Sequence, residues 1–204
     1  FFITIMGNTD LVFITTGFSI MRTSIFPLLL SVGLICHVGA ANAASKFQLD
    51  STDLSNGKFA ESQVLNSFGC SGKNISPQLS WHGEPAGTKS FVVSIYDQDA
   101  PSGSGWWHWV VANIPAKMHE LPQGASSDTS KLPNGALQTN TDFGKPGYGG
   151  PCPPVGQTHR YTITVTALKV EKLDVTADST GAMVGFMTNM NSLGKATKTV
   201  KYGR

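Results

Sequence analysis

Three segments carry the clearest patterning of apolar and polar positions. Arg160 to Leu168 (RYTITVTAL) alternates, with Tyr161, Ile163, Val165 and Ala167 on one face and Thr162, Thr164 and Thr166 on the other, the period of a half-buried strand. Ser90 to Tyr96 (SFVVSIY) and Trp107 to Ile114 (WHWVVANI) are short, aromatic and β-branched, and bounded by Gly, Pro and Asp, so they are read as central strands. One helix is predicted. Asp178, Ser179 and Thr180 can cap it, and Met183, Phe186, Met187 and Met190 recur at helical spacing through Asn189, a stripe expected to pack into the core. Between these elements, Cys70 to Gln78, Glu120 to Gln138 and Phe143 to Thr158 are too polar or too rich in Gly and Pro for regular structure. Loops of this kind run over a sheet and often build its site. The expected fold class is mainly β: a two-sheet β-sandwich with one or two short helices near the C terminus.

The N-terminal part reads differently. Met21, Arg22, Thr23 and Ser24 precede an apolar run from Ile25 to Val38, and Gly39, Ala40, Ala41, Asn42 and Ala43 follow. Charged start, apolar middle and small-residue end form a signal peptide over 21–43, with cleavage expected after Ala43. The run is about 14 residues, short of the roughly 20 that span a bilayer, so no stable membrane insertion is expected after cleavage. Residues 1–20 are read as an upstream or non-native extension, and 44–204 as the domain. Processing leaves 161 of 204 residues, too little for two ordinary cores. Composition adds little beyond this: 15 basic against 13 acidic residues, scattered, leave no electrostatic footprint for nucleic acid. Cleavage removes Cys36 and leaves Cys70 and Cys152, an even pair that an exported, oxidising compartment would join, so a disulfide is predicted, with two buried free thiols as the alternative.

Candidate chemistry gathers in three places. Asp97 and Asp99 stand at a strand end in D-Q-D-A-P, where Pro101 restricts Ala100. The bland reading is a turn in which one Asp caps the backbone. His108 lies in the apolar run WWHWVV, where an imidazole must find a hydrogen-bond partner. A backbone carbonyl would satisfy it, and an Asp on the neighbouring strand end would also fix its tautomer and raise its pKa. The third is Tyr148-Gly-Gly-Pro-Cys-Pro-Pro154, leading to His159, Arg160 and Tyr161. Glycines let a ligand approach the backbone, and consecutive prolines make a wall that needs little ordering on binding. By strand period, His159 and Tyr161 share a face that Arg160 does not.

The order D-x-D-A-P (Asp97 to Pro101), W-x-H (Trp106 to His108), G-x-x-P-P (Gly150 to Pro154) and H-R-Y (His159 to Tyr161) resembles the phosphatidylethanolamine-binding protein family, also called Raf-kinase-inhibitor-like proteins. With the leader, the cysteine pair, Asn74 to Pro77 (N-I-S-P) and Trp81, the chain looks like the bacterial, exported branch, over roughly Phe47 to Tyr202. The resemblance implies a small pocket at one sheet edge for a phosphate-like anion or phosphorylated headgroup. Its residues map to Asp97, Trp106, His108, Gly150, Pro153, Pro154, His159 and Tyr161, with Asp99, Pro101 and Arg160 as structural support and Arg160 pairing with the D-x-D-A-P carboxylates. Two departures stand out. Gln98 replaces the proline of most members, an exchange expected to loosen the turn, and Cys152 stands where many have Gly.

The function expected is therefore non-catalytic binding of a small anionic or phosphorylated ligand, with a protein partner as a further option, in the periplasm or outside the cell. No cofactor or metal is called for, although Asp97, Asp99, His108 and His159 are of types that suit zinc or manganese. The imidazoles are expected to donate to the anion, so binding should strengthen on acidification. The alternative is a hydrolase using an Asp/His acid–base pair in the same pocket, weakened by the lack of a G-x-S-x-G elbow. Assembly state is open, a homodimer among the options. Asn74-Ile-Ser matches a glycosylation acceptor that a bacterial origin would leave idle. Trp106, Trp107 and Trp109 are assigned to packing, and His82 and His119 to solvated loops.

Overall fold

A computed structural model of the protein describes residues 46–204. The expected leader and the extension before it lie outside the described residues. The strands are β1 (Gln48–Asp50), β2 (Leu79–His82), β3 (Ser90–Asp97), β4 (Trp106–Pro115), β5 (Glu120–Leu121), β6 (Leu137–Gln138), β7 (Thr158–Leu168) and β8 (Ser192–Gly203). A short 3-10 turn covers Thr129–Lys131, and helix α1 covers Gly181–Asn191. Two sheets form, β1-β2-β5 and β6-β4-β3-β7-β8, with antiparallel pairing between neighbouring strands.

The sandwich closes because each sheet offers one apolar face. Leu49, Leu79 and Trp81 from the smaller sheet meet Phe91, Val93, Ile95, Trp109, Val111, Ile163 and Val165 from the larger, all buried in one cluster. Each fully buried side chain of this size stabilises the fold by roughly 1.5–3 kcal/mol relative to exposure. The predicted central strands are β4 and β3, both inner strands of the larger sheet, and the alternating segment is β7 beside them.

The outer face of the larger sheet buries Val92, Val110, Ala112 and Leu168 beneath Leu173 and Val184. Helix α1 sits there, capped as expected by Thr180, whose side chain accepts from the Met183 amide. Its orientation overturns the expected core stripe. Gly181, Val184 and Thr188 face the sheet, while Met183, Phe186 and Met190 are 54%, 61% and 64% exposed, and Met187 alone of the stripe packs inward. Close approach to Trp107 selects the inner face: a Cβ at Gly181 would lie 2.4 Å from the indole, so the small residues must be the ones that turn inward.

Among the described residues no helix is long and apolar enough to cross a membrane.

Candidate functional site

The site lies where β3 ends and β4 and β7 begin. In register, Asp97 pairs with Trp106 on one side and Tyr161 on the other, so three of the candidate residues are fixed by the ladder itself. His108 arrives differently. Ile95 pairs with Trp109 and Tyr96 with Trp107, leaving His108 as the extra residue of a β-bulge. The bulge breaks the alternation and puts the imidazole next to Tyr161, ring centroids 5.1 Å apart and edge to face. His159 and Tyr161 are buried and Arg160 is exposed, as strand period requires.

These residues line one cavity of about 310 Å³. Asp97, Trp106, His108, Gly150, Pro153, Pro154, His159 and Tyr161 all contribute to its wall, as do Pro101 and Cys152. Asp99 and Arg160 do not. They form a bidentate pair outside it, Nε to Oδ2 at 2.9 Å and Nη2 to Oδ1 at 2.7 Å, and the Arg160 backbone amide donates to the same carboxylate at 2.8 Å. The Arg160 hydrogen bonds hold the Asp99 carboxyl down at about 2. Gln98 adds to this cluster: with its amide turned so that the oxygen faces the guanidinium, it accepts from Arg160 Nη2 and Nε at 3.0 and 3.2 Å. The Asp97 carboxylate also caps the turn, accepting from the Asp99 amide at 2.9 Å.

Asp97 orients an imidazole, but that of His159 rather than His108. His159 Nδ1 lies 2.7 Å from Asp97 Oδ2, both side chains nearly inaccessible, and its Nε2 lies 2.9 Å from Gln157 Oε1. Both ring nitrogens are thus engaged within the protein, which revises the expectation that His159 donates to an anion. His108 Nδ1 meets the Gly149 carbonyl at 2.7 Å. A carbonyl only accepts, so Nδ1 carries the proton and Nε2 of the neutral ring is an acceptor. Burial pushes the His108 pKa down, and the Gly149 hydrogen bond opposes this without reversing it. The pKa expected to rise falls instead, because desolvation outweighs the nearby Asp97 charge.

The Tyr161 hydroxyl is buried beside the Asp97 carboxylate without a hydrogen bond of full geometry, and its pKa is raised by desolvation first and by the Asp97 charge and hydrogen bonding next, so it stays protonated. Aromatic walls complete the cavity: Phe143 meets Trp106 and His108 edge to face at 5.5 and 5.4 Å.

The glycines of the rim serve the protein backbone. A Cβ on Gly150 would lie 2.0 Å from the Gln63 carbonyl and one on Gly149 would lie 2.2 Å from the Phe143 ring, so the segment 63–65 and Phe143 occupy the room that sequence reading reserved for a ligand. That segment is tied to the rim repeatedly. Asn74 accepts from the Gly150 amide at 2.7 Å and donates to the Tyr148 carbonyl at 3.2 Å, and the Tyr148 hydroxyl donates to the Gln63 carbonyl at 2.9 Å. The predicted disulfide joins Cys70 to Cys152, Cα atoms 6.0 Å apart. Asn74, read from its triplet as an idle acceptor, is a brace of the rim. Arg204, also unnoticed in the sequence, donates to the carbonyls of Pro153, Gly69 and Phe68. No local pattern marks either role, since each spans more than 50 residues.

Of the remaining histidines, His119 is not merely solvated: it pairs with Glu84 at 2.9 Å, and His82 lies 3.9 Å from Asp50 at the end of β2. Among the described residues no group of three or more His, Cys, Asp or Glu is placed to hold a metal ion.

Fold and cavity define a β-sandwich with a preformed pocket at the common end of three strands. The family model for phosphatidylethanolamine-binding protein matches residues 55–203, and the chain belongs to that family. Two relatives from Escherichia coli K12 are similar over nearly their whole lengths. YbhB is 54% identical over 76% of this chain and 99% of its own, and YbcL is 48% identical over 86% and 97%. The crystal structure of E. coli YbcL, described as a new member of the mammalian PEBP family, superposes with a TM-score of 0.75 at 49% identity, covering 78% of this chain and 98% of that one. A phosphatidylethanolamine-binding protein homolog from Chlamydia trachomatis, CT736, gives 0.65 at 28% identity over 78% and 97%.

Proposed function

We propose that the protein is a non-catalytic ligand-binding protein whose cavity takes a phosphate-like anion or phosphorylated headgroup. The observation that carries this reading is the Tyr161 hydroxyl, a protonated donor beside Asp97 that meets no acceptor at full hydrogen-bond geometry, in the wall of a cavity that distant stretches of the chain build. Buried polar groups are nearly always paired, so an unpaired one at a cavity marks where a ligand atom belongs. Beside it, neutral His108 offers Nε2 as an acceptor. A phosphate monoanion matches both, giving an oxygen to Tyr161 and a P–OH to His108, whereas a dianion would lack that second bond and meet the Asp97 carboxylate. Strengthening on acidification is retained in this reading, with the ligand's protonation as its main source.

Calorimetry with inorganic phosphate and phosphorylethanolamine tests it. Binding to the native protein should weaken about tenfold in Tyr161→Phe, the loss of one hydrogen bond to a charged group. Equal affinity of the two proteins refutes the assignment.

The hydrolase reading draws on the buried Asp97–His159 pair. Turnover of a phosphoester panel, abolished by His108→Ala or His159→Ala, would replace the binding reading with it. The disulfide and the leader-like N-terminal segment support an exported, periplasmic or secreted location, where a partner protein would also be met.

A further inference from the structure

Under helix α1, on the opposite face of the larger sheet from the cavity described above, lies a hollow of about 150 Å³ that shares no residue with that cavity. Its floor is ordered by strand register. Ser94 of β3 stands between Val110 of β4 and Thr164 of β7, and in the next row Thr166 of β7 stands between Val92 of β3 and Lys195 of β8. The floor therefore runs from apolar to polar across the sheet, with Trp107 and Val110 at the β4 end, hydroxyls over β3 and β7, and an ammonium at the β8 end. The roof follows the same order. Gly181 and Gly185 of α1 lie over Trp107, and Asn189 Oδ1 accepts from Lys195 Nζ at 2.7 Å.

Two residues of this roof are poor choices for stability alone. Thr188 is 5% exposed and lines the hollow, and its buried hydroxyl has no hydrogen-bond partner, not even the carbonyl one turn back that a helical threonine can take. Gly185 stands in the middle of the helix, where alanine is more favourable, and a Cβ there would meet Trp107 at an ordinary 3.8 Å. Packing does not require that glycine. Together the two residues leave an open space with an unmet donor in its roof, and Lys195 is the one charged side chain in its described wall.

We propose that this hollow is a second binding site, for a short-chain monocarboxylate. Its carboxylate lies between Lys195 Nζ and the hydroxyls of Thr166 and Thr188, and its alkyl chain points toward Val110, Val184 and Trp107. Size, charge and polarity each restrict the ligand. A cavity of this volume holds a molecule of about six non-hydrogen atoms. One ammonium matches one negative charge, and an inorganic anion would leave the apolar end of the hollow unfilled. The site is independent of the phosphate reading of the first cavity.

Titration with butyrate and with its uncharged analogue butyramide, followed by calorimetry and by backbone-amide NMR shifts, tests the proposal on the native protein, Lys195→Gln and Thr188→Val. Butyrate should bind the native protein about tenfold more tightly than butyramide and should shift the amides of Gly185, Thr188 and Lys195. Lys195→Gln should weaken butyrate about tenfold and Thr188→Val about threefold to tenfold. Thr188→Val should also melt no lower than the native protein, because it removes a buried hydroxyl that the ligand-free fold leaves unpaired. Four results overturn the proposal: no binding of butyrate at millimolar concentration, equal affinity for butyramide, shifts confined to Trp106, His108 and Tyr161, which would place the carboxylate in the first cavity, or a lower melting temperature for Thr188→Val, which would make its hydroxyl a structural member.

Discussion

Asn74 offers the sharpest test of how the rim is held, because one side chain makes two long-range bonds and its backbone is itself left-handed at φ 52°. Replacement by Ala removes the acceptor for the Gly150 amide and the donor for the Tyr148 carbonyl. Two neutral hydrogen bonds contribute about 2 kcal/mol. Alanine tolerates the left-handed region less well than asparagine, which adds about 1 kcal/mol. Asn74→Ala should therefore lose about 3 kcal/mol, while Asn74→Gly, which keeps the backbone but not the bonds, should lose about 2 kcal/mol. The assay is equilibrium urea unfolding of the oxidised protein followed by tryptophan fluorescence, with equal slopes confirming comparable unfolding. A glycine variant as stable as the native protein would show that the two bonds merely replace water, and the brace would have to be assigned to the disulfide and Arg204.

Two further outcomes follow from the same structure. Removing the cross-link with Cys70→Ser and Cys152→Ser, 82 positions apart, should lower stability by up to about 4 kcal/mol in urea unfolding, and a loss under about 1 kcal/mol would mean that the reduced rim stays as ordered as the oxidised one. The lowered His108 pKa means that the unfolded chain takes up a proton near pH 6.5 before the folded one does, so this contribution is fully present above that pH and is lost as pH falls toward the folded value. Melting temperature measured from pH 8 to pH 5 should fall more steeply for the native protein than for His108→Asn, and identical slopes would refute the assignment.

The legible part of the fold was the part governed by local period. β3, β4 and β7 announce themselves through β-branched and aromatic clusters, because both faces or one full face of each is buried. β8 was invisible for the opposite reason: in SLGKATKTVKYG only Ala196 and Val200 are buried, and an edge strand exposing Lys195 and Lys201 carries almost no apolar signal. β1, β2, β5 and β6, two to four residues each, are too short to show a period at all. The helix is legible from its cap and its spacing, but its inward face is not, because hydrophobicity marks the large residues, whereas packing against Trp107 demands the small ones. The site residues could be listed from motif order, but not their partners. A bulge decides which way His108 faces, and it arises from pairing between β3 and β4 that neither strand encodes alone.

That distinction bears on what the cavity can bind. Had Asp97 paired with His108, the site would present an oriented, more basic imidazole, suited to a dianion. The ladder instead places Asp97 opposite Tyr161 and within reach of His159, so the carboxylate's hydrogen bonds go to His159 and to the turn that Asp99 and Arg160 secure. His108 is left with only a backbone carbonyl, and burial keeps it neutral. The cavity thus combines a protonated phenol, an uncharged acceptor and a carboxylate already engaged by His159 and by the turn. On the phosphate reading proposed above, selectivity between protonation states would arise from that arrangement, and not from a count of basic residues. A cluster of lysines would bind a dianion more strongly; on that reading this wall favours a ligand that brings its own proton.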